Sequence, residues 1–291
     1  MKAAWLAQPE RGSAFAIQTI TWISLKVGRQ VGRILLVPIC LYFALFSPRA
    51  RAASKAYLTR VLRRDARFSE IFHHYHVFAS TILDRLYLLS NRLEPFKVEV
   101  RGDDALQRTL ARGRGCVLLG SHLGSFEILR AFGAGQMNLS INAVMHLDNS
   151  GKLNRVFDRL NPEFAKRVIA PGKPETLLRV KECLERNEIV GILGDRAVSG
   201  ERTIACRFLG DAARFPRGPL MTAAILNAPV VLFFGLNRGD AQYEIVFEPF
   251  CERIEREEID SWIEKYAARL ERHARRAPYN WFNFYDFWRP N

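Results

Sequence analysis

The chain has 291 residues, of which 48% are hydrophobic and 25% are charged. This balance excludes a wholly disordered protein, and the length suits one large α/β domain or two small ones. The net charge is +13, and residues 1–70 alone carry +9, which favours a nucleic acid, an anionic membrane surface or an acidic protein as partner. The five cysteines include no Cys-x-x-Cys pair, which predicts reduced, buried thiols rather than disulfides or a zinc site.

An uncharged apolar run covers residues 34–46, with Lys26, Arg29 and Arg33 before it and Arg49 and Arg51 after it. The run is shorter than the ~20 residues that cross a bilayer. Three interpretations fit: a helix on or partly within the membrane surface, a single tilted span, or a buried core helix. The flanking cations favour membrane contact and leave spanning or surface binding open. We therefore predict a basic, apolar, membrane-associated helical region at residues 1–65.

A long amphipathic helix is predicted over residues 67–90, where apolar side chains recur every three or four positions. His73, His74 and His76 lie within it. No acid or cysteine completes a set of metal ligands at helical spacing, so we interpret these histidines as facing solvent or substrate and predict no metal site.

Strands alternate with helices after residue 95, which is typical of a mixed, mostly parallel central sheet with helices on both faces. The fold class is therefore α/β, with an N-terminal helical extension. Strands are predicted at residues 96–100, 116–119, 141–145, 168–170, 189–193, 204–208, 229–236 and 243–247, the last two as a hairpin.

The stretch from residue 115 to residue 127 combines a buried strand signal, a small-residue loop and a helix start. Ser121 or Ser125 is suited to cap that helix, and Glu127 in its first turn is favoured by the helix dipole. From the loop, His122 can contact Glu127, so that one imidazole nitrogen is held and the other serves as a base. Backbone amides of the loop are candidates for an oxyanion hole. The alternative is a surface histidine and a glutamate placed only for the dipole.

Two further positions are candidates for binding. Asp195 and Arg196 follow the strand at 189–193, and the carboxyl ends of parallel strands face one crevice, so both residues are expected near His122 or as an ion pair. Residues 215–219 are predicted to form a turn that leads into a helix, which places Arg217 near a helix start, where the dipole disfavours a cation. This placement predicts a phosphate, a carboxylate or a neighbouring acid beside Arg217, with a solvent-exposed arginine as the alternative.

The segment from His122 to Glu127 resembles the His-x4-Asp/Glu motif of glycerolipid-type acyltransferases. The glutamate at the last position of this motif and the order of the later motifs most resemble the bacterial lipid A late acyltransferase family, over about residues 20–290. Those later motifs are Asp195-Arg196, Phe215-Pro-Arg-Gly-Pro219 and Ala228-Pro-Val-Val231. Instead of the Pro-Glu-Gly-Thr-Arg turn of the glycerolipid relatives, this chain has Pro216-Arg-Gly-Pro219, which argues against a glycerol-3-phosphate acceptor.

The resemblance implies an acyltransferase domain at residues 66–291. It would move a fatty acyl group from a thioester of acyl carrier protein, or of coenzyme A, to a hydroxyl of an envelope lipid or glycolipid. The expected place is the cytoplasmic face of the bacterial inner membrane, without metal or other cofactor. His122 would be the base and Glu127 would orient it. Substrate-binding roles fall to Ser121, Gly124, Ser125, Asp195, Arg196 and Arg217.

The aromatic segment at residues 279–288 resembles relatives that acylate other envelope lipids or polyene products. So many large rings are expected to pack against the domain near the acyl channel. Two other classes stay open. One is a catalytically silent protein of the same fold that binds membrane or lipid. The other, a nucleic-acid binder, is disfavoured because the positive charge surrounds an apolar run and no known binding module is present, so no nucleic-acid partner is predicted.

Overall fold

A computed structural model of the chain describes residues 14–145, 156–157, 159–198 and 200–289. The helices are α1 (Ala14–Val27), α2 (Arg29–Phe46), α3 (Pro48–Leu62), α4 (Phe68–Leu89), α5 (Asp103–Leu110), α6 (Phe126–Gln136), α7 (Pro162–Lys166), α8 (Pro174–Glu185), α9 (Gly218–Ile225) and α10 (Ile259–Arg276). The strands are β1 (Lys97–Arg101), β2 (Val117–Gly120), β3 (Ile141–Val144), β4 (Val168–Ile169), β5 (Ile189–Leu193), β6 (Thr203–Phe208), β7 (Asp211–Pro216), β8 (Val230–Gly239) and β9 (Gln242–Cys251).

The central sheet has seven strands in the order β1-β9-β8-β2-β5-β3-β4. Every neighbouring pair is parallel except β8 and β9, which form the predicted antiparallel hairpin. The predicted mixed, mostly parallel α/β fold is confirmed. Strands β2, β5 and β8 are apolar runs buried along most of their length, as expected for central strands covered on both faces.

A separate antiparallel hairpin is formed by β6 and β7. The predicted turn at residues 215–219 is therefore wrong in its first part, because Phe215 and Pro216 complete β7. Phe215 is fully buried, and its ring packs edge-on against Phe208 at a centroid distance of 5.5 Å. Phe215 lies opposite Ile204 in the hairpin, and this pairing accounts for a strand where the local sequence indicates a turn.

Helix α2 is attached to the domain along its whole length. Its buried residues, spaced three or four apart, are Arg29, Gly32, Leu36, Cys40 and Ala44. A side chain at Gly32 would clash with Ser24 of α1, so a glycine is required for this close approach. Helix α2 therefore packs as one layer over α1 and α4.

The structure corrects the prediction for one of the flanking cations, Arg29. The Arg29 Nε atom lies 2.6 Å from Asp84 Oδ1 on α4, and both side chains are almost completely buried. Tyr243 donates a hydrogen bond of 2.8 Å to the other oxygen of Asp84. Arg29 thus pairs inside the protein and does not face lipid headgroups, since a buried guanidinium needs a carboxylate partner.

The opposite face of α2 is apolar and exposed. Ile34 is 67% exposed, and further exposed apolar residues on or beside this helix are Trp22, Val27, Val31, Val37, Leu41, Tyr42, Leu45 and Phe46. Among the described helices, α2 alone is long and apolar enough to cross a membrane, and 22% of it is buried. The domain boundary near residue 65 stays a prediction.

The predicted packing of the C-terminal aromatic rings against the domain is confirmed. Trp281 is completely buried, and Phe282 and Phe287 are each 7% exposed. All five cysteines are free thiols, and four of them are buried, as the sequence predicts.

Candidate functional site

The candidate site lies where β2 and β5 end side by side. Gly120 of β2 is opposite Leu193 of β5, and the Gly194 amide donates a hydrogen bond of 2.9 Å to the Gly120 carbonyl. Tyr266 of α10 donates to the same carbonyl at 2.7 Å. Because the strands are parallel, the loops that follow them leave the sheet at one edge. His122 and Asp195, each two residues beyond a strand, therefore meet.

The His122 imidazole is held by Asp195. Nδ1 lies 2.8 Å from Oδ1, and the His122 backbone amide donates to both carboxylate oxygens at 3.1 Å. Asp195 is completely buried, whereas 29% of the His122 side chain is exposed. A carboxylate only accepts, so Nδ1 carries the proton and Nε2 has a free lone pair. No residue in the described part of the chain bonds to Nε2.

Trp281 completes the contacts of Asp195. Its indole Nε1 donates a hydrogen bond of 2.9 Å to Oδ2, so the buried carboxylate accepts from His122 and Trp281 together. The Trp281 carbonyl lies 3.0 Å from His74 Nε2, and His74 Nδ1 lies 2.8 Å from Ser54 Oγ. Because the carbonyl can only accept, His74 Nε2 carries the proton and Nδ1 accepts from Ser54.

His74 is therefore structural. It is completely buried, and burial lowers its pKa to about 4, which leaves the ring neutral. The interpretation of the three histidines as facing solvent or substrate is wrong for this residue. Periodicity gives no sign of it, because the partners Ser54 and Trp281 belong to distant parts of the chain.

Glu127 lies in the first turn of α6 as predicted, but its carboxylate is directed to α4. Glu127 Oε1 is 3.0 Å from Arg85 Nη2, and both side chains are mostly buried. The predicted hydrogen bond between His122 and Glu127 is thus replaced by the bond between His122 and Asp195. The Glu127 charge is still close enough to contribute to raising the pKa of His122.

A second arginine, Arg130, lies one turn further along α6 and is 4% exposed. Burial lowers its pKa to about 9; Glu127 opposes that change, and Arg85 and Arg167 add to it. The Glu127 carboxylate therefore lies near the guanidinium groups of Arg85 and Arg130, beside the histidine loop.

Small residues shape the loop. Ser125 caps α6, since its Oγ accepts from the Ile128 amide at 3.3 Å, and Ser121 Oγ accepts from the Leu123 amide at 3.3 Å. Gly124 has a φ of +82°, and a side chain there would clash with the Gly235 carbonyl. The hydroxyls of Ser121 and Ser125 and the backbone of Gly124 thus fix the position of His122 through local contacts.

The amides of residues 122–125 already have partners. They donate to the Asp195 carboxylate, the Ser121 hydroxyl, and the carbonyls of Asn280 and Gly235. In this arrangement these four amides are not free to receive a developing negative charge, and an oxyanion hole in the loop stays a prediction.

Arg196 binds the C-terminal segment. Its Nη2 donates to the Phe282 carbonyl at 2.6 Å and its Nε to Asn283 Oδ1 at 2.9 Å, with Tyr285 below the guanidinium. Arg217 lies elsewhere, with its Nε 2.8 Å from Asp260 Oδ1 at the start of α10. Of the alternatives predicted for Arg217, the structure shows the neighbouring acid.

The electrostatics favour a neutral imidazole beside an ionised carboxylate. Removal from water lowers the pKa of His122, and Arg196 adds to this, while Asp195 and Glu127 partly oppose it. For Asp195, burial raises the pKa, but the hydrogen bonds from His122 and Trp281 and the charge of Arg196 outweigh it, so the pKa is lowered. At neutral pH the ring can therefore accept a proton at Nε2 while Asp195 stabilises the resulting charge.

Sequence reasoning identified His122, Glu127 and Asp195 as site residues but not their pairing, nor the contribution of Trp281. Comparison with known families adds one finding. A family model described as bacterial lipid A biosynthesis acyltransferase matches residues 9–290 of the chain. No curated protein matches it.

Proposed function

We propose, from the premise that this chain belongs to the bacterial lipid A biosynthesis acyltransferase family, that it acylates a hydroxyl group of an envelope lipid or glycolipid. Family membership implies acyltransferase activity in lipid A-like biosynthesis. The observation that carries the proposal is the free Nε2 of His122, presented at a sheet edge by a ring whose Nδ1 is bonded to buried Asp195. Such a ring is the base that this transfer needs.

In the proposed reaction, Nε2 of His122 takes the proton of the acceptor hydroxyl while its oxygen attacks the thioester carbonyl carbon. The new carbon–oxygen bond gives a tetrahedral intermediate. The carbon–sulfur bond then breaks, and the leaving sulfur receives the proton from the imidazolium, so that an ester and a free thiol are formed. Asp195 keeps Nδ1 protonated and stabilises the imidazolium. The Glu127 charge, held by Arg85, favours the imidazolium.

Direct attack by the acceptor is supported by the state of the cysteines. Burial raises the pKa of Cys116 to about 12 and that of Cys206 to about 11, so neither is a thiolate at neutral pH. Ser121 and Ser125 are almost completely buried, and their hydroxyls accept hydrogen bonds from the loop backbone. An acyl-enzyme intermediate on these groups is therefore not part of the proposal.

The donor we propose is a thioester of acyl carrier protein. The net charge of +13 supports it, because an acidic carrier is attracted to a basic surface. Reduced thiols and a cytosolic donor together suggest the cytoplasmic face of the inner membrane. The test compares acyl-carrier and acyl-coenzyme A thioesters with extracted envelope lipid as acceptor. If purified protein binds lipid but consumes neither thioester, the silent lipid-binding alternative replaces the enzyme.

A pH profile tests the state of His122. We expect kcat/KM to rise with pH and level off above an apparent pKa below the ordinary histidine value of 6.5, because burial disfavours the imidazolium. Glu127→Gln removes a charge that raises this pKa, so the acid limb should move to still lower pH. An acid limb above 6.5 in the wild type, or a shift to higher pH in the variant, would contradict this assignment.

Trp281→Phe tests the indole bond to Asp195. The change keeps an aromatic ring but removes one hydrogen bond to a charged group, worth about 1.5–3 kcal/mol, so we expect roughly a tenfold lower kcat. Trp288→Phe is the matched control, because its indole donates to the Phe208 carbonyl instead. Both variants should melt earlier, but only Trp281→Phe should change the rate and the pH profile. Equal rate losses would argue for a purely structural role.

We also propose that α2 lies on the membrane surface with its apolar face in contact with lipid. Its opposite face packs on α1 and α4 over the whole helix, so a perpendicular span would require detaching it from the domain. The exposed apolar residues and the exposed cation Arg49 beyond its C-terminal end suit an interfacial helix.

Ile34→Asp should weaken binding to lipid vesicles by about tenfold, since it replaces exposed apolar surface by a charge at the interface. Leu178→Asp is the control, because Leu178 is 56% exposed on α8, remote from α2. Flotation with vesicles measures both variants. An equal effect of the two substitutions would contradict membrane contact through α2.

A further inference from the structure

A cavity of about 280 Å³ lies between α2, α4, the turn from β8 to β9 and the segment preceding Trp281. Its lining does not include His122, Asp195 or Glu127. On α4, His73, His76 and Ser80 line it together, because spacings of three and four residues place them on one face of the helix. These polar residues have no role in the acyl transfer described above.

Arginines give the cavity a positive wall. Arg33 of α2 and Arg238 of β8 both line it. Arg238 contacts Glu244, but that buried carboxylate is shared with Arg276 and with Arg101, so positive charge is in excess. Asp240 lies 3.1 Å from Arg33, yet its side chain is 87% exposed, so this surface pair is weak.

The α4 side of the cavity offers hydrogen-bond donors. Ser80 is 4% exposed and its hydroxyl has no partner within the described part of the chain, although buried hydroxyls are normally bonded. Burial lowers the pKa of both histidines, and the charge of Arg33 lowers that of His76 further, as expected at a positive potential. The neutral His73 ring has one N–H to donate, whereas the His76 ring already bonds to the backbone of Arg33.

We propose that this cavity binds the anionic phosphate of a phosphate ester, through Arg33, Arg238, Ser80 and the His73 imidazole. Guanidinium groups and hydroxyl donors are the usual partners of phosphate oxygens. The source is a phospholipid headgroup or a free phosphate compound. Arg33 directly precedes Ile34 on the exposed apolar face of α2, so a headgroup bound here would hold that face against the membrane. The site is separate from the proposed reaction.

The test uses the full-length protein and vesicles of an uncharged galactolipid that contain either phosphatidylglycerol or the same fraction of oleate, which is anionic but has no phosphate. We expect Arg33→Gln to weaken binding to the phosphatidylglycerol vesicles about tenfold more than to the oleate vesicles. Ser80→Ala, which changes no charge, should weaken only the former, by about threefold to tenfold. Arg49→Gln, an exposed cation outside the cavity, should affect both vesicles equally.

Asp240→Asn is expected to strengthen binding rather than weaken it. The carboxylate competes with phosphate for Arg33, so its removal should strengthen binding to phosphatidylglycerol vesicles by a fewfold. Asparagine tolerates the φ of +44° at this position, so the turn is kept. Weaker binding by this variant would contradict competition for Arg33.

Titration with inorganic phosphate separates the two sources. Binding of free phosphate that is lost in Ser80→Ala and Arg33→Gln supports the site with a soluble ligand, whereas a response confined to vesicles supports the headgroup. The proposal is overturned if Arg33→Gln and Ser80→Ala behave like Arg49→Gln on both vesicles and free phosphate does not bind. All of these experiments measure binding. A failed acyl-transfer assay therefore would not change the conclusion about this cavity.

Discussion

Replacing His122 by alanine is expected to lower acyl transfer by ~10²- to 10⁴-fold while the protein stays folded. The lost step is removal of the acceptor proton by Nε2, for which the loop contains no substitute base. The substitution leaves Asp195 with bonds from the His122 backbone amide and Trp281, so we expect a stability loss of about 1–3 kcal/mol.

The measurement is transfer from acyl-carrier thioester to extracted membrane lipid, together with a thermal melt of each variant. A variant that melts normally and transfers at the wild-type rate would remove His122 from the mechanism. A variant that does not fold would instead assign His122 a structural role. Glu127→Ala should also reduce the rate, though less than the His122 change, because Glu127 does not hold the ring.

Replacing Asp195 by asparagine is expected to lower kcat by ~10²- to 10⁴-fold, although the side chain keeps its size. The His122 ring, the His122 amide and the Trp281 indole all donate to this carboxylate. An amide has one accepting oxygen and one donating nitrogen, so at least one donor would meet another donor. The ring then loses the partner that fixes its tautomer, and Nε2 no longer faces the acceptor as a base.

Asp84→Asn is the matched control for this change. Asp84 is also completely buried and accepts from Arg29 and Tyr243, but it lies among the helices behind α2. We expect it to destabilise the protein at least as much, because it leaves a buried guanidinium unpaired, with little change in kcat of the folded fraction. If the two variants lose activity in proportion to their melting temperatures, Asp195 contributes only to folding.

The fold was largely predictable from hydrophobic patterns. Central strands such as β5 and β8 are continuous apolar runs, and α4 shows clear helical periodicity. Strand β7 was not predictable, because Asp211–Pro216 is short and mostly polar or small and is stabilised by its pairing with β6. Periodicity reports which face is buried, whereas pairing partners depend on the whole sheet.

The site was predictable in its residues and not in its contacts. His122 and Asp195 are far apart in sequence, and their bond depends on the parallel pairing of Gly120 with Leu193. The sequence motif points instead to Glu127, because a motif relates only residues that are close to each other in the chain. The pairing of Arg29 with Asp84 was missed for the same reason, since only the packing of α2 on α4 reveals it.

The position of Trp281 affects how the protein matures during synthesis. The ribosome makes the histidine loop, then β5 with Asp195, and only much later the indole that bonds to this carboxylate. The Leu123–Trp281 bridge and the bond from the Gly124 amide to the Asn280 carbonyl also wait for that late segment. Until it is released, the nascent chain has a loop with an unpaired Gly124 amide and a partly solvated Asp195 carboxylate. We therefore expect the base to acquire its final orientation only after the segment that contains Trp281 has left the ribosome, so that a nascent chain without this segment in place does not consume acyl donors.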